Sequence, residues 1–324
     1  MRSTDRGSDR GSTGWPARLH VVTGKGGTGK TTVSAALALA LARGGQRTLL
    51  VEVEGRQGIA QLFGTDPLPY AETTIVRVPG GGEVRALAMD AEAALLEYLD
   101  MFYKLGMAGR ALRKVGAIDF ATTIAPGMRD VLVTGKVKEA TTRNEGGRRV
   151  YDAVVMDAPP TGRIGRFLNV TAETARLAKM GPIKHQSEGV AAILRSPITS
   201  VHVVTLLEEM PVQETADAVA ELRALEMPVG KIIVNATQPP LLADGKVTQA
   251  DLRRGLAAAG LPSDRATVTG LYAEARTHLI RRGVEESLRK ELATLGRPLV
   301  ELPILPDGVH RESLDTLADV LAAA

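Results

Sequence analysis

The stretch Val21-Val22-Thr23-Gly24-Lys25-Gly26-Gly27-Thr28-Gly29-Lys30-Thr31-Thr32 constrains the chain more than any other. An apolar run enters a glycine-rich turn and leaves as an alanine- and leucine-rich helix. Gly24, then four residues, then Gly29-Lys30-Thr31 match the spacing of a phosphate-binding loop, whose backbone N–H groups converge on phosphate oxygens. Glycine is required where a Cβ would block that approach or where φ must be positive. The helix opening near Lys30 adds the positive end of its dipole, about 0.3–1 kcal/mol toward a nearby anion. Lys30 is the expected partner of the β- and γ-phosphates, and the Thr31 hydroxyl the expected Mg²⁺ ligand. Gly24, Gly26, Gly27, Thr28, Gly29, Lys30, Thr31 and Thr32 are thus assigned to binding ATP with Mg²⁺.

Lys25 gives the loop a second lysine, and the reading Lys-Gly-Gly-Thr-Gly-Lys-Thr is similar to the signature of the deviant P-loop ATPases. In that class the extra lysine reaches across a dimer interface to the partner's nucleotide. The resemblance therefore implies a dimer that closes on ATP, with Lys25 in a catalytic role beside Lys30.

The 324 residues suffice for one large α/β domain or two smaller ones. Residues 1–16 are rich in Gly, Ser and Arg, with Trp15 as their apolar anchor, and are expected to form a disordered tail ahead of a single domain over 17–324. They lack the apolar stretch of a signal peptide, and nothing reaches the roughly eighteen uninterrupted apolar residues of a membrane span, so a cytoplasmic protein is expected. The chain contains no cysteine, which excludes disulfides, thiolate-bound zinc and iron–sulfur clusters. It also removes the thiolates that a soft arsenite or antimonite ion would need. The net charge is +3 and the arginines are scattered, so nucleic acid is not an expected partner.

Apolar strands are expected at 18–22, 47–53, 151–156, 200–206, 231–234 and 299–302, separated by helical patterns beginning with Lys30 to Arg43. That alternation predicts an α/β fold, a doubly wound, mostly parallel sheet covered on both faces, with ligands at the carboxyl ends of the strands. From 90 to 140 the strands stop. Helical patterns at 94–103, 107–115 and 127–139, joined by 169–194, predict an inserted helical subdomain over 90–140 and 169–196. Met101, Phe102, Tyr103, Leu105, Met107, Ile118, Phe120 and Met128 concentrate scarce aromatics and methionines there, as either a core or an apolar groove for a hydrophobic client helix.

Val154-Val155-Met156-Asp157 ends a buried strand on an aspartate, the place of a Mg²⁺-holding carboxylate. Pro159 and Pro160 stiffen the following turn, and Thr161 and Gly162 are placed to sense the γ-phosphate. Glu52 and Glu54 close the second strand, where a carboxylate could orient the attacking water; Glu54 is the candidate.

The loop over Gly24–Thr32, with Asp157-Ala158-Pro159-Pro160-Thr161-Gly162-Arg163-Ile164-Gly165-Arg166-Phe167-Leu168, resembles the arsenite-pump ATPase family, which includes the soluble targeting factor for tail-anchored membrane proteins. Glu52 to Phe63 looks like an actinobacterial branch of anion-transporting ATPases. The resemblance runs from about Arg18 onward and implies three further nucleotide contacts: Asn235 on adenine, Glu208, and Pro306 in a loop closing over the base. It departs in two places. Glu54-Gly55-Arg56-Gln57 replaces the family's Asp-Pro-Ala-His, and Arg163 replaces a histidine. A catalytic carboxylate misplaced by about 1 Å can lower the rate about 10²-fold, so turnover is expected to be slow or to need a partner subunit.

The leading expectation is a dimeric Mg-ATP-hydrolysing switch, a homodimer or a heterodimer with a paralogous ATPase, acting on a protein partner or client. The alternatives are a low-turnover nucleotide-binding scaffold partnering such a paralogue, and a chromosome-partitioning or Min-type ATPase. The last predicts DNA or membrane binding, whereas Glu312 to Ala324 is acidic to neutral rather than basic.

Overall fold

The computed structural model describes residues 14–94, 96–97, 128–177, 182–242 and 246–324. Most of the patterns at 94–103 and 107–115, and the set from Met101 to Phe120, lie outside these residues.

Eight strands form one sheet: β1 (Leu19–Gly24), β2 (Arg47–Glu52), β3 (Thr73–Arg77), β4 (Glu83–Ala88), β7 (Ala153–Asp157), β8 (Thr199–Thr205), β9 (Val229–Thr237) and β10 (Leu299–Pro303). Their order is β10-β9-β8-β1-β7-β2-β4-β3, and every neighbouring pair is parallel except β3 with β4. A short hairpin, β5 (Asn144–Glu145) with β6 (Arg148–Arg149), lies apart from it.

Parallel strands need helical crossovers, and the crossovers cover both faces. On one face α1 (Lys30–Arg43), α2 (Gly58–Phe63) and α9 (Arg311–Ala322) close a core in which Leu37, Leu41, Leu50, Ile233, Leu314 and Leu321 meet. On the other, α3 (Met128–Thr142), α4 (Thr161–Leu177), α5 (Pro182–Leu194), α6 (Glu209–Ala224) and the end of α8 (Arg265–Thr294) pack Leu132, Val137, Ile164, Phe167, Val190, Val219 and Leu292 against Val21, Val51 and Val203. The exposed helix α7 (Gln249–Ala258) precedes α8. Helix α1 is buried from Val33 through Ala42, which fits an Ala/Leu sequence with no polar face.

The sheet is larger than the apolar runs predict. β3 and β4 extend it beyond β2, and their sequences hid them. β4 interleaves Val84, Ala86 and Leu87 with Glu83 and Arg85 behind three glycines, and the antiparallel edge β3 is only partly buried. The thirty-residue α8 is also unannounced, because it buries only Val268, Glu285, Leu288 and Leu292. Among the described residues no helix is long and apolar enough to cross a membrane.

Trp15 is 2 % exposed, so packing begins inside the segment expected to be a disordered tail; residues 1–13 of that segment lie outside the described residues. Its indole N–H donates to Leu321 O (2.6 Å), and its ring meets His20 and His202 edge-on. The two buried imidazoles share one hydrogen bond of 3.1 Å. The Lys231 backbone N–H donates to His202 Nδ1 (3.1 Å), so His202 Nε2 carries the proton and donates to His20 Nδ1.

Burial pushes His20 down to about 4, against the raising effect of the Ala17 carbonyl, and holds His202 well below its ordinary value with help from His20, Lys231 and Arg297. Groups with lowered folded values give their full stability above the ordinary histidine range and lose it as pH falls from about 6.5 through about 4. Denaturation should therefore show stability falling over that window by a few kcal/mol, a tenfold change in proton affinity being worth about 1.4 kcal/mol. A His20→Leu/His202→Leu double variant should flatten the slope; identical slopes would exclude the pair as its source.

Candidate active site

Strand β1 is flanked by β7 on one side and β8 on the other, and the chain crosses over it between them. This is a topological switch point, where crevices open beyond the carboxyl ends of parallel strands. The loop 25–29 leaves β1 there. It is tightly confined: a Cβ on Gly24 would lie 2.2 Å from Val204 O, and one on Gly29 would lie 2.3 Å from Asn235 Nδ2, where φ is also +89°. Gly26 and Gly27 are exposed and face open space, as a cradle for an incoming group requires. Thr28 is buried, its hydroxyl donating to Lys25 O (2.9 Å), and Asn235 Nδ2 donates to Thr28 O (2.9 Å). Gly29 caps α1 without a side-chain bond, and no acidic residue occupies the first turn, so the helix's positive end is left uncompensated from within.

The Thr31 hydroxyl donates to Asp157 Oδ2 (2.7 Å), and Ser34, one turn on along α1, reaches Asp157 Oδ1 (3.3 Å). Asp157 is 8 % exposed, and burial raises its carboxyl to about 6. The Thr31 bond, Lys30 and Ser34 pull that value down, while Glu52 pushes it up. Lys30 is itself lowered by burial and donates to Lys25 O (3.3 Å). An ammonium, open N–H groups and a buried hydroxyl–carboxylate pair on one crevice fit a triphosphate with its divalent cation; with no counter-cation, Asp157 is the costly element of the set.

The second carboxylate segment resolves into two environments. Glu52, paired in register with Asp157, is 2 % exposed; Oε2 accepts from Ile59 N–H (3.2 Å), while Oε1 is buried without a hydrogen-bond partner. Glu54, the sequence candidate, points instead into a cavity of about 110 Å³, 3.6 Å from Arg56 Nε and 3.8 Å from Arg163 Nη1.

The residues named from sequence are gathered unequally. Lys25, Thr28, Lys30 and Asn235 form one bonded group, Thr31 and Asp157 form a second on the same helix start, and Gly24 and Gly29 are held in place by close contacts. Thr32 follows on the same helix. Thr23 at the end of β1 donates to Pro159 O (2.7 Å), which fastens the turn carrying Pro160, Thr161 and exposed Gly162 to the loop strand. Glu208 is exposed, at the start of α6, and makes no side-chain cap bond. Pro306 is exposed beyond β10, in the segment whose Ile304 N–H bonds Thr237 O at the end of Asn235's strand.

Sequence reading missed Glu214. Its Oε1 lies 2.8 Å from Lys25 Nζ and its Oε2 accepts from the Thr161 hydroxyl (3.2 Å), so one α6 carboxylate joins the phosphate loop to the turn after Asp157. Nothing local distinguishes Glu214 from other helix-surface glutamates. Ser34 was legible in principle, because it shares a helix face with Thr31.

Residues 17–189 match the family model described as anion-transporting ATPase. The chain is 53 % identical over 325 residues to ATPase BagA of Mycobacterium tuberculosis, covering 96 % of each. It is 28 % identical to ATPase GET3 of Kluyveromyces lactis, over 67 % of this chain and 71 % of that protein. It is 26 % identical to the arsenical pump-driving ATPase of Escherichia coli, over 75 % of this chain and 44 % of that one.

Proposed function

The chain belongs to the anion-transporting ATPase family, and on that premise we propose that it binds and hydrolyses Mg-ATP as a dimer whose nucleotide-driven closure acts on a protein partner or client. The observation that carries the reading is the 2.7 Å bond from Thr31 to buried Asp157 beneath an open glycine cradle. Bound Mg-ATP would supply the phosphoryl group and the divalent charge, and Thr31 and Asp157 would hold the metal. Lys30 and the amides of Gly26 and Gly27 would meet the phosphates, Asn235 would meet the base together with Glu208 and Pro306, and Glu54 would orient the attacking water.

Lys25 has an intramolecular partner in Glu214, so reaching a second subunit's nucleotide requires that pair to open. Only the triphosphate offers a charge-assisted contact in exchange, roughly 1.5–3 kcal/mol, and that difference drives closure. Both side chains of the pair are about one-third exposed, so it contributes roughly 0.2–1 kcal/mol. Glu214→Ala should accordingly move the ATP concentration for half-maximal dimerisation down by about 1.4- to fivefold. An unchanged midpoint would remove this restraint. The second subunit is a further copy or a paralogous ATPase. The E. coli relative is named for an arsenical pump; this chain has no cysteine to hold arsenite, which favours a protein rather than a soft oxyanion as the target.

Light scattering with ADP, ATP and a non-hydrolysable analogue, for wild type and Lys25→Ala, tests the switch; a mass constant in every condition rejects it. Glu54 stands between Arg56 and Arg163, at 3.6 Å and 3.8 Å, and carries one methylene more than the aspartate of the family pattern, which favours a second reading, a nucleotide-binding scaffold of low turnover. Equal, near-zero phosphate release from wild type and Glu54→Ala would select the scaffold.

A further inference from the structure

The cavity that receives Glu54 has walls unlike the rest of the crevice. Arg56, Arg129 and Arg163 line it with two carboxylates, Glu54 and Asp130, and Pro159 closes it. Its volume, about 110 Å³, is too small for a nucleoside, since small-molecule sites begin near 300 Å³. It equals the share of three or four waters at roughly 30 Å³ each, the scale of one hydrated tetrahedral ion.

The arginine donors are not used up. Glu54 stands 3.6 Å and 3.8 Å from the Arg56 and Arg163 guanidinium nitrogens, within Coulomb range but past hydrogen-bond length. Arg129 spends one N–H on Val53 O (3.1 Å), which anchors it at the wall. Burial pushes Asp130 up while Arg163, Arg129 and Arg166 pull it down, so the fields of two lining arginines, Arg129 and Arg163, both reach this wall of the cavity. A planar fork of donors suits an oxyanion better than any other ligand class.

The cavity also adjoins the phosphate loop. Glu54 and Arg56 both act on the Lys30 ammonium, and Pro159 is tied to Thr23 of the loop strand.

We propose that Arg56, Arg129 and Arg163 form a binding site for a tetrahedral oxyanion beside the γ-phosphate position, where the phosphate cleaved from ATP is held before release. The site rests on the nucleotide reading above but is separable from it. Arrival of the ion engages the arginine donors and displaces Glu54 from between them. An oxyanion entering from solution presents the same chemistry, so the two sources are distinguished by kinetics.

The test is titration of inorganic phosphate into the full chain with and without Mg-ADP, by calorimetry, for wild type, Arg163→Gln and Arg129→Gln, with ADP affinity measured separately. Among the described residues Arg163 makes no side-chain hydrogen bond that its replacement would break, so it serves as the second variant should Arg129→Gln misfold. Phosphate should bind wild type with a Kd on the order of a millimolar and each variant about tenfold more weakly, one lost charge-assisted bond, with ADP affinity unchanged. Equal phosphate affinity in all three proteins overturns the proposal. So does ADP binding without phosphate binding, which leaves the nucleotide reading intact; absence of both removes the two together. Single-turnover phosphate release then identifies the source: a lag behind ADP formation that shortens in Arg163→Gln marks cleaved phosphate, and an unchanged lag marks an oxyanion from solution.

Discussion

Lys30→Ala should lower ATP turnover by about 10²–10⁴-fold while leaving the fold intact. Among the described residues Lys30 is held against both Asp157 and the loop backbone: Asp157 and Glu54 stabilise its charge, burial and Arg56 oppose it, and its ammonium makes a 3.3 Å hydrogen bond to Lys25 O. Those weak internal ties leave most of its donor capacity for phosphate. Losing two charge-assisted bonds at roughly 1.5–3 kcal/mol each accounts for the range. Because burial already disfavours the ammonium, its removal should shift the unfolding free energy by no more than about 1 kcal/mol. Steady-state phosphate release and urea denaturation on the same preparations check both halves. A variant that keeps a tenth of wild-type turnover, or that unfolds, would remove Lys30 from the phosphate site.

What could be read from the sequence is what depends on contiguous residues. The glycine loop, the strand ending at Asp157 and the alanine- and leucine-rich helix α1 each fit inside about a dozen positions, and the structure puts these elements where that reading expects. Their junction was legible too, because a parallel sheet collects strand ends on one side. The misses have another cause. β3 and β4 escaped because an edge pair needs only one good face, so neither run is continuously apolar. The interior place of Glu52 beside Asp157 also went unread, although the two-residue period of a strand sends it there, whereas residues beyond the strand end follow no such rule. Glu214 belongs to the least legible class: its partner is 189 positions away, and only the packing of α6 beside the turn after β7 brings the two charges together.

That packing makes the site a balance of unsatisfied charges rather than a finished network. Lys25 is paired internally, Glu52 has an oxygen with no hydrogen-bond partner, and Asp157 is ionised at a cost in the free chain. Each is a group that a cation or a phosphate would relieve, so the proposed nucleotide binding and the cost of these groups in the free chain would share one origin.

Asp157→Asn should reveal that balance most directly, by abolishing turnover while stabilising the protein. On the activity side the carboxylate is the expected metal-holding charge, and its loss removes several kcal/mol of charge stabilisation, about 10²–10³-fold in rate or more. On the stability side the carboxyl is raised from its ordinary value to about 6, chiefly by burial and in part by Glu52. A group raised on folding penalises the native state fully above about pH 6 and not at all below its unfolded value near 4, a penalty of the order of 2–3 kcal/mol. Asparagine keeps the shape, accepts the Thr31 proton and carries no charge, so the variant should melt a few degrees higher at about pH 7. The gap should narrow as pH falls below about 6 and close near pH 4, and should narrow at neutral pH when Mg-ATP is added to wild type, since the cation replaces the proton as counter-charge. A variant no more stable than wild type at neutral pH, or one whose advantage persists in acid, would mean that Asp157 is already compensated within the protein and does not wait for a metal.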